Sequence, residues 1–180
     1  MKGSRVSKRY AKALFKEGKE KNKLDSLRQD LDQLAKVYQE SSEFWKVIDS
    51  PVIPANTKEG VFKDIFQNKI DRITFDFVLL LIRNGREHLL PEVIQFFGEI
   101  LDDHQGIIRG KVYSVVSLSD DQLNELKSKL DRMTSKNVIL TQSKDKSILG
   151  GFIIKINDRV IDASLRNQLS KMGEYLIEVN

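Results

Sequence analysis

The apolar residues of this chain change their spacing once, near Gly106, and this change limits the possible folds more than any other feature. Before Gly106 they recur every three or four residues, which is the spacing of one side of an α-helix. After it, β-branched residues cluster in short runs such as KVYSVVSLS and NVILTQ, which are typical of strands. The sequence therefore predicts an α+β fold with two domains, residues 1–105 and residues 106–180.

The N-terminal domain is predicted to be a bundle of six helices, because six stretches with helical spacing are separated by short connections. Asn56 or Thr57 is expected to cap the fourth helix, Asn84-Gly85 to end the fifth, and Pro91 to stand in the first turn of the sixth. The apolar stretches that mark the six helices are Val6 to Phe15, Leu24 to Tyr38, Glu43 to Ile48, Val61 to Phe66, Ile73 to Ile82 and Val93 to Leu101.

The C-terminal domain is predicted to contain a strand, a helix, a second strand, a hairpin and a final helix. Ser119 and Gln122 have the spacing of a capping box, which opens the first of these helices. Asn157-Asp158 stands between GGFIIKI and RVID, and both residues tolerate a positive φ, so we expect a tight hairpin turn there. The final helix is expected over residues 163–178.

The composition excludes several classes of protein. The chain contains no cysteine, so it can form no disulfide framework, no thiolate zinc site and no cysteine nucleophile. The longest apolar run, Phe77 to Ile82, is far shorter than the roughly 20 residues of a membrane-spanning helix. The first fifteen residues carry charges and lack the apolar core of a secretory signal. We therefore expect a protein that is soluble or at most peripheral to a membrane.

No combination of residues predicts catalysis, a cofactor or a metal ion. The two histidines, His88 and His104, lie in different segments, and the neighbours in Asp102-Asp103-His104 would project in different directions from a helix. Gly150-Gly151 enters a strand without the Lys and Ser or Thr that follow a phosphate-binding loop, so the pair predicts a close backbone approach instead. The expected protein is not an enzyme.

The positive charge is concentrated at the N-terminus. Residues 1–23 contain nine basic and two acidic side chains, whereas the whole chain has a net charge of only +4. A basic segment can bind nucleic acid, so a helical RNA-binding or regulatory module is one candidate function. The basic residues occupy the polar side of an amphipathic helix, however, which is more typical of a solvated surface, and we expect no nucleic acid partner.

The first and fifth predicted helices have wider apolar surfaces than a helix packed on one side needs. In ITFDFVLLLI only Thr74 and Asp76 interrupt the apolar run. One interpretation is that the fifth helix lies at the centre of the bundle. The other is that the two wide surfaces form a groove for an amphipathic helix of a partner. Because no catalytic group is present, a binding or structural role is favoured.

Three segments of the sequence resemble the delta subunit of F-type ATP synthase, the bacterial counterpart of the mitochondrial oligomycin-sensitivity-conferring protein. They are RYAKALF at residues 9–15, RNGREHLLPEV at residues 83–93 and KDKSILGGFIIKINDRVIDASLRNQL at residues 144–169. The last segment is the most specific, and the resemblance covers nearly the whole chain. Asn157, Ala163 and Asn167 stand where the family often has glycine, which leaves the hairpin intact because Asn tolerates the left-handed conformation.

The resemblance implies a non-catalytic stator subunit. In that family the helical domain binds the N-terminal helix of an alpha subunit on the catalytic head. The C-terminal domain binds the b subunits of the peripheral stalk. Together they resist rotation of the alpha/beta head during proton-driven ATP synthesis. The implied location is peripheral, at the cytoplasmic face of the cell membrane, with membrane contact only through the complex.

The resemblance also implies roles for individual residues. Residues of the first and fifth helices would hold the alpha-subunit helix, although ordinary core packing is the alternative for each. Four residues of the C-terminal motif would shape the fold, through close approach at the glycine, the hairpin turn and a cap on the last helix. The first set is Val6, Tyr10, Ala13, Ile73, Phe77 and Leu80, and the second is Gly151, Asp158, Asp162 and Ser164.

Overall fold

The computed structural model describes residues 2–156 and 159–178 and has an α+β fold with a four-stranded mixed sheet. The predicted α+β class is therefore confirmed. The chain divides into two compact units, residues 1–101 and residues 102–180. The division lies in the last turn of the helix Leu90–His104, a few residues before the change in spacing at Gly106.

The N-terminal unit is helical because each stretch with a spacing of three or four apolar residues buries one side in a shared core. Leu27, Leu31 and Leu34, for example, stand on one side of the second helix and are almost fully buried. A short 3-10 turn, Glu87–Leu89, precedes the sixth helix. The helices are α1 Lys2–Glu20, α2 Leu24–Glu40, α3 Ser42–Asp49, α4 Ala55–Phe66, α5 Arg72–Arg83 and α6 Leu90–His104.

Local chemistry explains some of the ends of these helices. Asn84 is the C-cap of α5 and Gly85 has a φ of 62°, as the Asn-Gly pair predicts. The prediction that Asn56 or Thr57 caps α4 is wrong, because α4 begins at Ala55 after Pro54. The Pro54 carbonyl accepts hydrogen bonds from the N–H groups of Thr57 and Lys58, so the helix starts two or three residues earlier than predicted. Pro54 itself has the extended conformation of a residue that precedes a helix.

The C-terminal unit is a four-stranded sheet in the order β2-β1-β3-β4. Strands β1 and β2 are parallel because α7 connects them as a crossover, while β1–β3 and β3–β4 are antiparallel. Its buried core includes Val112, Leu130, Val138 and Ile154. The elements are β1 Ile107–Ser114, α7 Asp120–Thr134, β2 Asn137–Lys144, β3 Gly151–Ile156, β4 Arg159–Ser164 and α8 Leu165–Glu178.

Two local predictions for the C-terminal unit are confirmed, and a third concerns residues outside the described part of the chain. The capping box of Ser119 and Gln122 is present at the start of α7. Strands β3 and β4 pair as an antiparallel ladder that ends at Ile156 and Arg159. The turn residues Asn157 and Asp158 between them lie outside the described residues. The last helix begins at Leu165 rather than at residue 163, because Ala163 and Ser164 still belong to β4.

Across residues 2–156 and 159–178, the helices are too short or too polar to pass through a lipid bilayer.

Candidate functional site

A groove of about 750 Å³ runs between α1 and α5 in the N-terminal unit, and we call it the α1–α5 groove. Apolar side chains form its walls, and charged side chains stand at its rim. The two helices contribute residues three and four positions apart, so each presents one continuous side to the groove. The lining residues are Tyr10, Ala13, Leu14, Glu17, Lys21, Lys23, Asp71, Arg72, Ile73, Asp76, Phe77, Leu80 and Arg83.

Five of the six residues predicted to bind a partner helix line this groove. They are Tyr10 and Ala13 on α1 and Ile73, Phe77 and Leu80 on α5. The sixth, Val6, does not line it but packs, partly buried, against the helical core one turn before Tyr10.

The groove residues differ in how much of each side chain is available to a partner. Phe77 is only 8% exposed, so most of its ring belongs to the core. Leu80 is 47% exposed, whereas most of the other apolar residues of α5 are buried. Leu14 lines the groove as well, although it was not among the residues predicted to bind a partner helix. Its position four residues after Tyr10 on the same helix was the signal for it.

Tyr10 is held in place by contacts on two sides. The guanidinium of Arg86 donates a hydrogen bond to the Tyr10 hydroxyl at 2.7 Å, and it also stands 5.8 Å from the centre of the Tyr10 ring. The Phe77 ring meets the Tyr10 ring edge to face, with centroids 6.1 Å apart. These contacts set the orientation of the largest side chain on the α1 wall.

A polar network closes the groove near the N-terminus of α5. Asp71 caps this helix by accepting a hydrogen bond from the N–H of Ile73 at 2.9 Å, and it pairs with the Lys23 ammonium at 2.6 Å. These two bonds, the one from Lys23 first, lower the pKa of Asp71 below its ordinary value. The buried Asp30 of α2 accepts hydrogen bonds from the Asp71 N–H and the Thr74 hydroxyl, both at 2.8 Å. The network fixes the end of α5 relative to α2.

The opposite end of the α5 wall is held by a two-pronged ion pair. The guanidinium of Arg83 donates to both carboxylate oxygens of Glu59 on α4, at 2.8 Å and 3.0 Å. The hydrogen bond from Arg83 is the main cause that lowers the pKa of Glu59. Such paired bonds fix direction as well as distance. The α5 wall is therefore anchored at both of its ends.

A second groove, of about 430 Å³, lies in the C-terminal unit between α7 and the start of β3, and we call it the α7–β3 groove. Leu118, Leu126 and Phe152 are partly buried in it, while Val116 and Leu149 are each 70% exposed. The loop on one side is pinned, because the side-chain amide of Gln142 exchanges hydrogen bonds with both backbone groups of Leu118. The groove therefore has a firm wall and an unburied apolar rim.

The described residues of the C-terminal motif contact the backbone of their own unit. Gly151 has a φ of +77°, and an added Cβ there would overlap the carbonyl oxygen of Ala163 across the β3–β4 ladder. The Ser164 hydroxyl accepts a hydrogen bond from the N–H of Asn167 in the first turn of α8, and Asp162 accepts one from the N–H of Ser164. Asp158 lies outside the described residues.

The N-terminal unit contains a buried ion pair that was not predicted from the sequence. Lys58 of α4 pairs with Glu87, and both side chains are more than nine-tenths buried beside a cavity of about 420 Å³. Asp49 also lines this cavity, and burial is the main reason that its pKa is raised, although a hydrogen bond from the Tyr38 hydroxyl opposes the shift. The one available signal was spacing, since Lys58 stands four residues before the buried Phe62.

His88, Asp102 and Asp103 do not form one cluster. His88 is exposed, Asp102 pairs with Arg109, and Asp103 pairs with Lys136. Within the described part of the chain, no three side chains of His, Asp or Glu are placed to hold a metal ion.

Comparison with known proteins gives one consistent family. The model of the ATP synthase delta (OSCP) subunit matches residues 6–176. ATP synthase subunit delta of Clostridium beijerinckii is 32% identical over 173 residues, which cover 96% of this chain and 97% of the relative. The same subunit of Chlorobaculum parvum is 36% identical over 172 residues, which cover 96% of this chain and 95% of the relative. The alternative of an RNA-binding or regulatory module receives no support.

A solved structure supports the fold. A chain in the cryo-EM structure of the Toxoplasma gondii mitochondrial ATP synthase hexamer matches with a TM-score of 0.73 and 22% identity, covering 96% of this chain and 97% of that chain. Because the family match runs from residue 6 to residue 176 and the relatives are matched over almost their whole length, this chain belongs to the ATP synthase delta (OSCP) subunit family, whose members are non-catalytic subunits of the stator.

Proposed function

We propose that this chain holds the alpha/beta head of an F-type ATP synthase to the b subunits of the peripheral stalk through two separate grooves. The N-terminal domain, residues 1–105, acts as a six-helix bundle whose α1–α5 groove takes the N-terminal helix of an alpha subunit. The C-terminal domain, residues 106–180, takes a b-subunit segment in the α7–β3 groove. The two attachments resist rotation of the head during proton-driven ATP synthesis, at the cytoplasmic face of the cell membrane.

The half-exposed Leu80 in the α1–α5 groove is the observation that carries the first attachment. The apolar residues of α5 that line the groove extend from Ile73 to Leu80, about 10 Å along the helix axis, which matches two turns of a bound helix. An amphipathic partner helix would bury Leu80, Ala13 and the exposed part of Ile73. Each apolar side chain that becomes fully buried contributes about 1.5–3 kcal/mol, so a few such anchors are enough for stable binding.

The anchored walls support the same proposal. The contact of Tyr10 with Arg86, the cap of Asp71 and the ion pair of Arg83 with Glu59 hold the groove open before a partner arrives. A site that is already formed loses less conformational entropy when it binds. The charged rim at Glu17, Lys21, Arg72 and Asp76 carries both signs of charge and so can meet the polar edges of the partner helix.

The second attachment rests on the apolar rim of the α7–β3 groove. Val116 and Leu149 are large apolar residues that stay mostly exposed beside a partly buried apolar floor. A small domain rarely leaves such a rim uncovered in its working assembly. A helical segment of a b subunit that covers both residues would bury the rim and leave the sheet core unchanged.

Calorimetric titration of the full chain with a peptide from the N-terminus of the same organism's alpha subunit tests the first attachment. We expect binding that hardly changes between low and high salt, since apolar burial dominates it. Leu80→Asp is expected to weaken the affinity by about tenfold to a hundredfold, and Tyr10→Ala to weaken it as well.

Ile65→Asp is the matched control for Leu80→Asp. Ile65 is an apolar residue on α4 that is 36% exposed and does not line the α1–α5 groove. The control variant is expected to bind the peptide like the parent chain. Absence of binding by the parent, together with retention on RNA at low salt, would overturn the proposal.

A further inference from the structure

The side of α1 that faces away from the α1–α5 groove carries only basic charge over most of the helix. Six exposed residues form it, and we call them the basic face. At 100° per residue they fall within an arc of about 100° and extend about 21 Å along the helix. The basic face consists of Arg5, Lys8, Arg9, Lys12, Lys16 and Lys19.

The charges on the basic face are arranged differently from those on the other helices of this chain. Elsewhere, side chains four residues apart pair as opposite charges, for example Arg28 with Asp32, Arg72 with Asp76 and Lys129 with Glu125. On α1 the same spacing brings like charges together, as in Lys8–Lys12 and Lys12–Lys16, which destabilises an isolated helix.

The basic residues near the start of α1 are also poorly placed for the helix dipole, and the basic face has few ion-pair partners among the described residues. The first turn of α1 contains no acidic residue, although a helix N-terminus favours negative charge. Among the described residues, Lys16 pairs with Glu20 at 3.8 Å, whereas the other five members of the basic face form no ion pair. A local choice that conflicts with helix stability is expected where a binding requirement prevails.

We propose that the basic face docks onto a carboxylate-rich surface of another subunit of the ATP synthase. This interaction goes beyond the two grooves, and it rests on membership of the complex rather than on either groove. A row of ammonium and guanidinium groups about 21 Å long fits an acidic helix or loop laid along α1. Its main effect is on the rate and orientation of docking, because exposed charges steer association over several ångströms.

A protein partner fits the basic face better than RNA or a lipid surface. Four of its six residues are lysines, which act as point charges, and no aromatic side chain stands between them for stacking on bases. The apolar side of α1 cannot enter a membrane, because Ala11 and Leu14 are buried in the helical core.

The test measures association of the full chain with ATP synthase of the same organism that has been depleted of this subunit. A variant with Lys8→Gln, Lys12→Gln and Lys16→Gln is compared with a control that has the same change in charge, Lys36→Gln, Lys46→Gln and Lys69→Gln. All three control lysines are exposed in the N-terminal unit outside the basic face. We expect the first variant to associate about tenfold more slowly than the control at low salt, and to lose most of the salt dependence.

Two further measurements keep the result independent of the grooves and of folding. The basic-face variant is expected to bind the alpha-subunit peptide normally and to unfold at no lower temperature than the control. Leu80→Asp is expected to lose the peptide but to keep the salt-dependent association rate. Equal association rates for the two triple variants would overturn the proposal. So would a selective loss of binding to poly(U) RNA or to phosphatidylglycerol-rich vesicles without any loss toward the depleted complex.

Discussion

Leu80 lies on α5 between the buried residues Leu79 and Leu81, yet about half of its side chain is exposed. Successive helical residues are rotated by 100°, so Leu80 shares a side with Ile73 and Phe77, whereas its two neighbours point into the core. An exposed leucine contributes little to folding and gains stability only when another surface covers it. At the scale of one residue, the exposure of Leu80 supports the proposed binding role.

Arg86 positions Tyr10, so its replacement is expected to weaken the α1–α5 groove without removing any apolar surface. We expect Arg86→Gln to lower the affinity for the alpha-subunit peptide by about threefold to tenfold, because the Tyr10 ring would then have to be ordered on binding. Calorimetry of the full chain measures the change. Tyr10→Phe keeps the ring but removes the hydroxyl, so it should show a similar loss, and the double variant should lose no more than either single one. Additive losses would show that Arg86 acts separately from Tyr10.

Asp71 links stability to pH, because its pKa is lower in the folded protein than in the unfolded chain. A lowered pKa contributes stability that is complete above the unfolded value near pH 4 and is lost as the pH falls through the folded value. Asp71→Asn keeps an oxygen to cap Ile73 but cannot pair with Lys23 as a carboxylate. Urea unfolding followed by the fluorescence of Trp45 should therefore show a smaller loss of stability below about pH 4 in this variant. Lys23→Met should flatten the profile in the same direction, and an unchanged profile in both variants would contradict the assignment.

At the scale of single elements, caps and turns explain several of the helix boundaries. Ser119 with Gln122 starts α7, Asn84 with Gly85 ends α5, and Ser164 caps α8. Each of these signals lies within four residues of the boundary that it sets, so each was readable from the sequence. The start of α4 could not be read in this way, because Pro54, rather than one of the polar residues that follow it, is the N-cap.

Gly151 and Gly60 are expected to respond in opposite directions to the same substitution. Gly151→Ala should destabilise the C-terminal unit by about 2 kcal/mol or more, because φ is positive there and the new methyl group would overlap the carbonyl oxygen of Ala163. Gly60→Ala lies in α4 with open space around the new methyl group and should stabilise by about 0.5–1 kcal/mol. Urea unfolding followed by circular dichroism measures both. Equal effects would show that the backbone at Gly151 relaxes freely.

At the scale of the whole molecule, each unit has its own buried core and its own groove. The helical core includes Phe62, Phe97 and Leu81, and the sheet core includes Val112 and Ile154. Each groove is rimmed by side chains that its own core does not need, Leu80 in one case and Leu149 in the other. The proposed function requires the chain to hold two partners at once, and two grooves on two separately packed units would meet that requirement.

Loss of either proposed attachment is expected to uncouple the complex. In membranes that contain the intact enzyme, Leu80→Asp or Leu149→Asp should weaken its own contact about tenfold to a hundredfold and so lower ATP-driven proton pumping. ATP hydrolysis by the head should continue, because this subunit supplies no catalytic group. Ile65→Asp and Val52→Asp change exposed apolar residues outside both grooves and serve as controls. Pumping that survives both test substitutions would contradict the two-groove proposal.

The sequence by itself determined the α+β class, the change from helices to a sheet near Gly106, and some of the helix ends. These features depend on periodicity and capping, which act over a few residues. It also indicated that the two helices whose sides form the α1–α5 groove have wide apolar surfaces. The width of the apolar surface of a helix follows from the spacing of its apolar residues alone.

Only the tertiary structure decided which residues of those helices stay exposed and which polar groups meet. Thr74 bonds to Asp30 across 44 positions, Tyr10 to Arg86 across 76, and Lys58 pairs with Glu87 across 29. Sequence spacing could not pair these residues, because their distances depend on how whole helices pack. For the same reason Val6 and Tyr10, one turn apart on α1, end on the core and in the groove respectively. Local patterns set which side of a helix is apolar, and packing between helices sets how much of that side remains for a partner.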